Sequence, residues 1–244
     1  NLNGKMNLWA MDLPNKFPYL FAQKDESSHF IKVDPENRYV LVGFDKDGDE
    51  NYQIYALPYG GGLPEPLITG EPTDKYLFSH LSDDGKRIYY MTSKDNPTVL
   101  NARMRNLEDG SDVLIHEGDV SPIFIGAVSE DESAIVLLRQ FANTYITAFV
   151  KVGDETYDLT PNPQKVHVVF NPVFTDNQTI YFTTDYESDY EYLAKFDLDT
   201  KQFSRVLEIE NESIEDLTWD KEHQAFYITT TKGVTDVLYH YDIN

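Results

Sequence analysis

Cysteine is absent from the 244 residues of this chain. That excludes a disulfide framework, a thiolate zinc site and a cysteine nucleophile, and it fits either side of a membrane. Long apolar runs are also missing. No stretch approaches the roughly 18 apolar residues that a helix needs to cross a bilayer, and residues 1–13 do not read as a signal peptide. The expected location is the cytoplasm, although the chain does not open on Met. Basic residues are scarce: 20 Lys and Arg stand against 42 Asp and Glu, giving a net charge of −22 and a pI near 4.4. Nucleic-acid affinity comes largely from Lys and Arg neutralising phosphates. Neither nucleic acid nor an anionic membrane is therefore expected as a partner. The acidity serves solubility or, alternatively, sets up a field that draws in cationic ligands such as peptide amino groups.

Recognisable catalytic motifs are missing as well. Serine catalysis on an α/β scaffold wants a G-x-S-x-G turn; the nearest string, Glu108-Asp109-Gly110-Ser111-Asp112, lacks the second Gly and reads as a turn between strands. The six histidines, at 29, 80, 116, 167, 223 and 240, show no metal-ligand spacing and no H-E-x-x-H. No catalytic residue, metal or other cofactor is expected in this chain.

What is present favours strands. Hydrophobic residues make up 41% and aromatics 14%, with 17 Tyr and 14 Phe beside many Val, Ile and Thr, a composition suited to pleated, half-buried surfaces. A repeat runs the length of the chain. Five segments, from Val33, Leu81, Val128, Phe174 and Trp219, share an acidic turn, a short strand, a polar loop and a returning strand. Their anchoring acids, Asp34, Asp83, Glu130, Asp176 and Asp220, are spaced 49, 47, 46 and 44 residues apart. A period in the forties with about four short strands per unit predicts β-propeller blades, whereas helical repeats would place apolar residues three and four apart.

The runs Tyr39-Val40-Leu41-Val42, Ile88-Tyr89-Tyr90-Met91 and Ile180-Tyr181-Phe182 are expected as strands buried on both faces. The predicted fold is all-β, a single propeller domain over residues 1–244, with a partial blade at 1–30, blades at 31–77, 78–123, 124–170 and 171–214, and a partial blade at 215–244. Met6 to Met11 and Pro18 to Phe21 match third and fourth strands, and three strands close the chain. The count of 21 is one too many for a closed ring of five four-stranded blades. We therefore expect about five blades cut from a larger ring, whose open ends would leave sheet edges exposed.

Two acidic loops stand out. Asp45-Lys46-Asp47-Gly48-Asp49-Glu50-Asn51 has the alternating acids of a calcium loop, but positions six and twelve hold Glu50 and Ala56 instead of Gly and Glu. Asp185-Tyr186-Glu187-Ser188-Asp189-Tyr190-Glu191 occupies the corresponding inter-strand position. In a ring both loops would emerge on one face. Asp45, Asp47, Asp49, Glu50, Asp185, Glu187 and Asp189 are thus candidates for contacting a cationic group or a neighbouring domain.

Residues 43–70, GFDKDGDENYQIYALPYGGGLPEPLITG, resemble a blade of the prolyl oligopeptidase family of serine peptidases, especially its acylaminoacyl-peptidase-like branch. There a D-x-x-G-x-E-N loop precedes an I-Y strand and a G-G-x-P-x-x-L-T closer. Residues 78–110 are similar to that branch's S-P-D-G-K turn, N-P loop and D-L-E-T-G turn, and Tyr157 to Thr160 and Thr184-Asp185 continue the pattern. Two departures are visible: Asn101-Ala102-Arg103-Met104 replaces a D-I-Y run, and Leu81-Ser82-Asp83 lacks the usual Pro. The resemblance implies a propeller of about seven blades that caps an α/β-hydrolase domain and admits only short peptides. The family's catalytic Ser, Asp and His follow the propeller, so none maps onto this sequence.

The implied role is a non-catalytic gate that selects short or acylated peptides, its partners being the α/β-hydrolase domain of the same parent protein and the peptide substrate. Assembly into a homo-oligomer stays open. A stand-alone binding propeller of the Tol type is the alternative. A sugar-acid lyase is a third reading, for which the expected histidine cluster is not visible.

Overall fold

A computed structural model describes residues 4–14, 16–22, 24 and 26–243. These contain 21 strands and no helix, as the composition leads one to expect. They fall into two compact units, Asn1–Asp119 and Val120–Asn244.

In the first unit, β1 (Leu8–Ala10) and β2 (Tyr19–Ala22) form a two-stranded sheet. Next come β3 (Ser27–Val33), β4 (Tyr39–Asp45), β5 (Gln53–Pro58) and β6 (Glu65–Ile68), then β7 (Tyr76–Leu81), β8 (Arg87–Thr92), β9 (Asn101–Asn106) and β10 (Asp112–His116), each set a four-stranded antiparallel meander. The second unit holds two more such sheets. One comprises β11 (Ile123–Val128), β12 (Ala134–Ala142), β13 (Tyr145–Val152) and β14 (Glu155–Asp158); the other, β15 (Val169–Phe174), β16 (Thr179–Thr184), β17 (Tyr192–Asp197) and β18 (Gln202–Leu207). Its last sheet has three strands, β19 (Ile214–Asp220), β20 (Ala225–Lys232) and β21 (Thr235–Asp242).

The second strands carry the core. β4, β8 and β16 are buried at every residue but the first, because neighbouring elements cover both of their faces. The expected runs lie here, and they lack the polar alternation of a one-sided strand for that reason. In the first unit Leu41, Ile54, Ile68, Tyr76, Ile88 and Tyr90 join the β3–β6 and β7–β10 sheets into one cluster. In the second, Val136, Val150, Ile180, Phe182 and Tyr192 do the same for the β11–β14 and β15–β18 sheets.

The acidic turns lie inside the sheets, between first and second strands, so each sheet begins one strand before its turn. In three of these turns the organising side chain is that of the residue just after the first strand. Asp34 accepts the Arg38 backbone NH at 2.9 Å, Ser82 Oγ accepts the NH groups of Lys86 and Arg87 at 3.1 and 2.9 Å, and Ser129 Oγ accepts that of Ala134 at 3.0 Å. All three are buried, and their bonds satisfy turn donors that the ladder leaves unmatched. Neighbouring turns are linked in turn: Arg38 Nη2 donates to the Asp84 carbonyl at 2.8 Å, Tyr39 OH to the Gly85 carbonyl at 2.6 Å, and the Asp131 NH to Asn177 Oδ1 at 3.2 Å.

Register identifies the two-stranded sheet. Leu8 pairs with Ala22 and a bulge follows, as Ile54 pairs with Ile68 before the bulge in β5–β6 and Leu193 with Leu207 before that in β17–β18. The Met6 carbonyl accepts the Ser28 NH at 2.9 Å, just as the Tyr52 carbonyl accepts that of Tyr76 at 2.8 Å. β1 and β2 therefore stand as third and fourth strands.

Candidate functional site

The two acidic loops join second to third strands, β4 to β5 in the first unit and β16 to β17 in the second. The closing pairs Phe44↔Gln53 and Thr184↔Tyr192 put Asp45 and Asp185 at the same place in their sheets. Both carboxylates serve the local fold. Asp45 is buried at the end of β4 and accepts the Glu50 NH at 3.3 Å, while Asp185 Oδ1 accepts the Val168 NH at 2.7 Å.

The other loop acids face water to differing degrees of commitment. Asp47 pairs with Lys5 Nζ at 3.3 Å and Glu187 with Lys165 Nζ at 3.2 Å. Asp49 accepts the Asn51 NH at 2.9 Å and the Asn51 side-chain amide at 3.3 Å, and that backbone bond first of all holds its carboxyl below the usual range. Glu50 and Asp189 are exposed. Positive φ at Asp47, Gly48, Glu50 and Glu187 turns the chain sharply enough to present these side chains outward.

The structure adds a residue that the sequence did not single out. Glu191 ends the second loop, half-buried, and its carbonyl accepts the Ile214 NH at 3.0 Å. Burial, and then the nearby Asp185 and Glu215 carboxylates, push its carboxyl up to about 7. It lines a pocket of about 150 Å3 together with Ser188, Tyr190, Tyr192, Glu208 and Glu212. Glu212 is buried yet ionises easily: hydrogen bonds from Thr230 at 2.7 Å, Lys232 at 3.0 Å and Tyr239 at 3.0 Å hold it below the usual range. Glu210 lines the pocket too, and Glu208 and Glu212 are paired with Arg205 and Lys232; a pocket with tyrosine walls, four glutamates and one of their carboxyls poised near neutrality can receive a small cationic group.

Other residues considered from sequence have structural places. Ser111 lies in the β9–β10 turn, its NH donating to Asp109 Oδ1 at 2.8 Å. His167 is buried with both ring nitrogens engaged; Nδ1 donates to the Lys165 carbonyl at 2.6 Å, and Nε2 shares a hydrogen bond with the Thr160 hydroxyl at 3.0 Å. Among the described residues no group of three or more His, Cys, Asp or Glu is placed to hold a metal ion, and no helix is long and apolar enough to cross a membrane.

No protein-family model matches the sequence, and no curated protein does. Solved structures do. The chain aligns with a prolyl endopeptidase over 98% of its own length and 38% of that chain, with a TM-score of 0.74 and 12% identity. It aligns with the β-propeller domain of the Trilobed protease from Pyrococcus furiosus over 98% of its length and 75% of that chain, with a TM-score of 0.66 and 11% identity. The fold is a β-propeller. Its four-stranded sheets are the blades, and β1–β2 and β19–β21 are blades in part. A putative TolB from Agrobacterium tumefaciens aligns over 93% of the propeller and 81% of that chain, with a TM-score of 0.64 and 13% identity. The propeller spans less than half of the prolyl endopeptidase, and at these identities the likeness is one of fold.

Proposed function

We propose that this propeller is the non-catalytic, substrate-selecting part of a serine peptidase that acts on short or acylated peptides. The observation that carries the reading is the alignment of nearly the whole chain with a minor part of a prolyl endopeptidase, together with a sequence that lacks a G-x-S-x-G nucleophile turn. Acyl transfer would then belong to an α/β-hydrolase domain of the same parent protein, and the propeller would form one wall of the substrate cavity. Its acidic loops would favour a peptide's free amino group, since a carboxylate attracts an ammonium most strongly where water is scarce. Glu50 and Asp189 are the loop acids freest to do so, with Glu191 ionising as the ammonium arrives.

A second reading is a stand-alone binding propeller of the Tol type, favoured by the large share of the putative TolB that the chain matches. The genomic sequence following Asn244 separates the two. A G-x-S-x-G motif followed by Asp and His supports the peptidase, and a stop codon after a complete ring supports the binding module. The isolated chain should not turn over peptide or ester substrates; turnover abolished by a serine-reactive inhibitor would refute the assignment. In the parent enzyme, neutralising Asp47, Asp49, Glu50, Glu187 and Asp189 should weaken the preference for free amino termini, and an unchanged preference would remove the loops from substrate selection.

A further inference from the structure

We propose that a cleft in the first unit binds a small oxyanion, the carboxylate or phosphate group of a ligand, at a site built by Arg103, Arg105 and Lys94. The cleft measures about 130 Å3 and lies where Thr69, just past β6, meets Tyr76 and Tyr90 of the next blade. At about 30 Å3 per water that is room for roughly four waters, or for a carboxylate or phosphate group in their place.

Its charge runs against the composition. The chain carries 42 acids and 20 bases, yet this cleft is lined by three cations, Lys94, Arg103 and Arg105, and two carboxylates, Asp95 and Asp112. Arg103 and Arg105 stand two apart on β9, so both side chains leave the same face of the strand, and Lys94 reaches in from the β8–β9 loop.

One of the two acids is already committed. Arg103 Nε donates to Asp112 Oδ1 at 2.6 Å, and the Tyr90 hydroxyl donates to Asp112 Oδ2 at 2.5 Å. This clamp fixes the Arg103 guanidinium and neutralises Asp112. Arg105 and Lys94, like several other cations of the chain, make no ion pair among the described residues, but these two share one cleft with a third. Two unpaired cations beside a third define a local positive excess among the lining side chains, against which stand the exposed Asp95 and, 3.5 Å from the Tyr76 hydroxyl at its margin, the Asp74 carboxylate. A cation would be repelled, and an oxyanion would gain charge-assisted hydrogen bonds from donors that now face water. The site rests on its own geometry and holds whether or not the propeller belongs to a peptidase.

The test is an amide-resolved NMR titration of the chain with inorganic phosphate and, separately, acetate, with sodium chloride balancing ionic strength. Saturable shifts are expected around Thr69, Lys94 and Arg103 to Arg105, with a roughly millimolar dissociation constant, the level that two charge-assisted hydrogen bonds supply. Tighter binding of phosphate assigns a phosphate-bearing ligand, and tighter binding of acetate a carboxylate. Arg105→Gln should weaken binding about ten-fold or more, Lys94→Gln together with Arg105→Gln should abolish it, and Lys151→Gln, in the other unit, should leave it unchanged. Preserved dispersion of the remaining amides shows that the variants fold. Absence of saturable shifts with both anions, or an affinity that Arg105→Gln does not alter, would overturn the proposal.

Discussion

Replacing Glu191 by Gln should stabilise the folded chain above neutrality and leave its stability unchanged below about pH 4.5. In the unfolded chain this carboxyl ionises near 4.5; in the fold, burial and then the Asp185 and Glu215 carboxylates push it up to about 7. Between those values the folded state holds a proton that the unfolded state has released, so stability falls as pH rises through the window. The penalty is absent below the unfolded value and complete above the folded one. A difference of about 2.5 units, at about 1.36 kcal/mol each, sets an upper bound of about 3 kcal/mol, and the solvent that still reaches Glu191 reduces it to about 1–2 kcal/mol. Gln reproduces the shape of the protonated acid without its charge. The gain from Glu191→Gln should therefore be near zero at about pH 4, grow across the window and level off by about pH 8. Urea unfolding at a series of pH values measures it, and carbon NMR of the Glu191 carboxyl gives the titration directly. A gain that does not vary with pH, or a carboxyl that titrates near its ordinary value, would refute the reasoning.

Three further substitutions test the packing and the turns. Gly85 has a φ of +67, and an added Cβ would lie 2.0 Å from Asp34 Oδ1 and 2.2 Å from Arg38 Nη2; Gly85→Ala should cost about 2–4 kcal/mol in urea unfolding, and a loss under about 0.5 kcal/mol would show that the Asp34–Arg38 pair is free to move. Ser129→Ala leaves the buried Ala134 NH without its acceptor and should lower stability by about 1–3 kcal/mol, with hydrogen exchange accelerated first at the β11–β12 turn. Phe182 is fully buried in the second unit, so Phe182→Ala should cost about 3–5 kcal/mol, read from the shift in denaturation midpoint.

The blades were legible because their second strands are covered on both faces, which leaves uninterrupted runs such as Ile88 to Met91, and because the turns keep nearly constant spacing. The phase of the repeat was harder to read. Acids mark the turns in sequence, but Ser82 and Ser129 organise two of them, and a lone serine carries little signal; measured from Asp34, Ser82, Ser129, Asp176 and Asp220, whose side chains accept the turn NH groups, the spacing is 48, 47, 47 and 44. The acidic loops were visible as composition, though not the burial that commits Asp45 to its own turn. Glu191 could not be singled out, because part of its shift comes from Glu215, which the following blade brings near. The basic cleft left one trace, the alternation Arg103-x-Arg105 on a strand where the family resemblance shows a D-I-Y run. Its meaning depends on Thr69 and Tyr76 being folded against it.

The bonds between successive turns have a consequence for how the molecule comes apart. The Asp84 carbonyl accepts from Arg38, the Gly85 carbonyl accepts from Tyr39, and Asn177 accepts from the turn after Ser129, so a blade that opens strips its neighbour of acceptors or donors as well as of apolar cover. Stability is then shared by nearest-neighbour coupling, as in a linear chain of spins. Within each unit, unfolding should spread from blade to blade as a moving boundary, with the two-stranded β1–β2 element, which has the least to lose, exchanging its amide protons first.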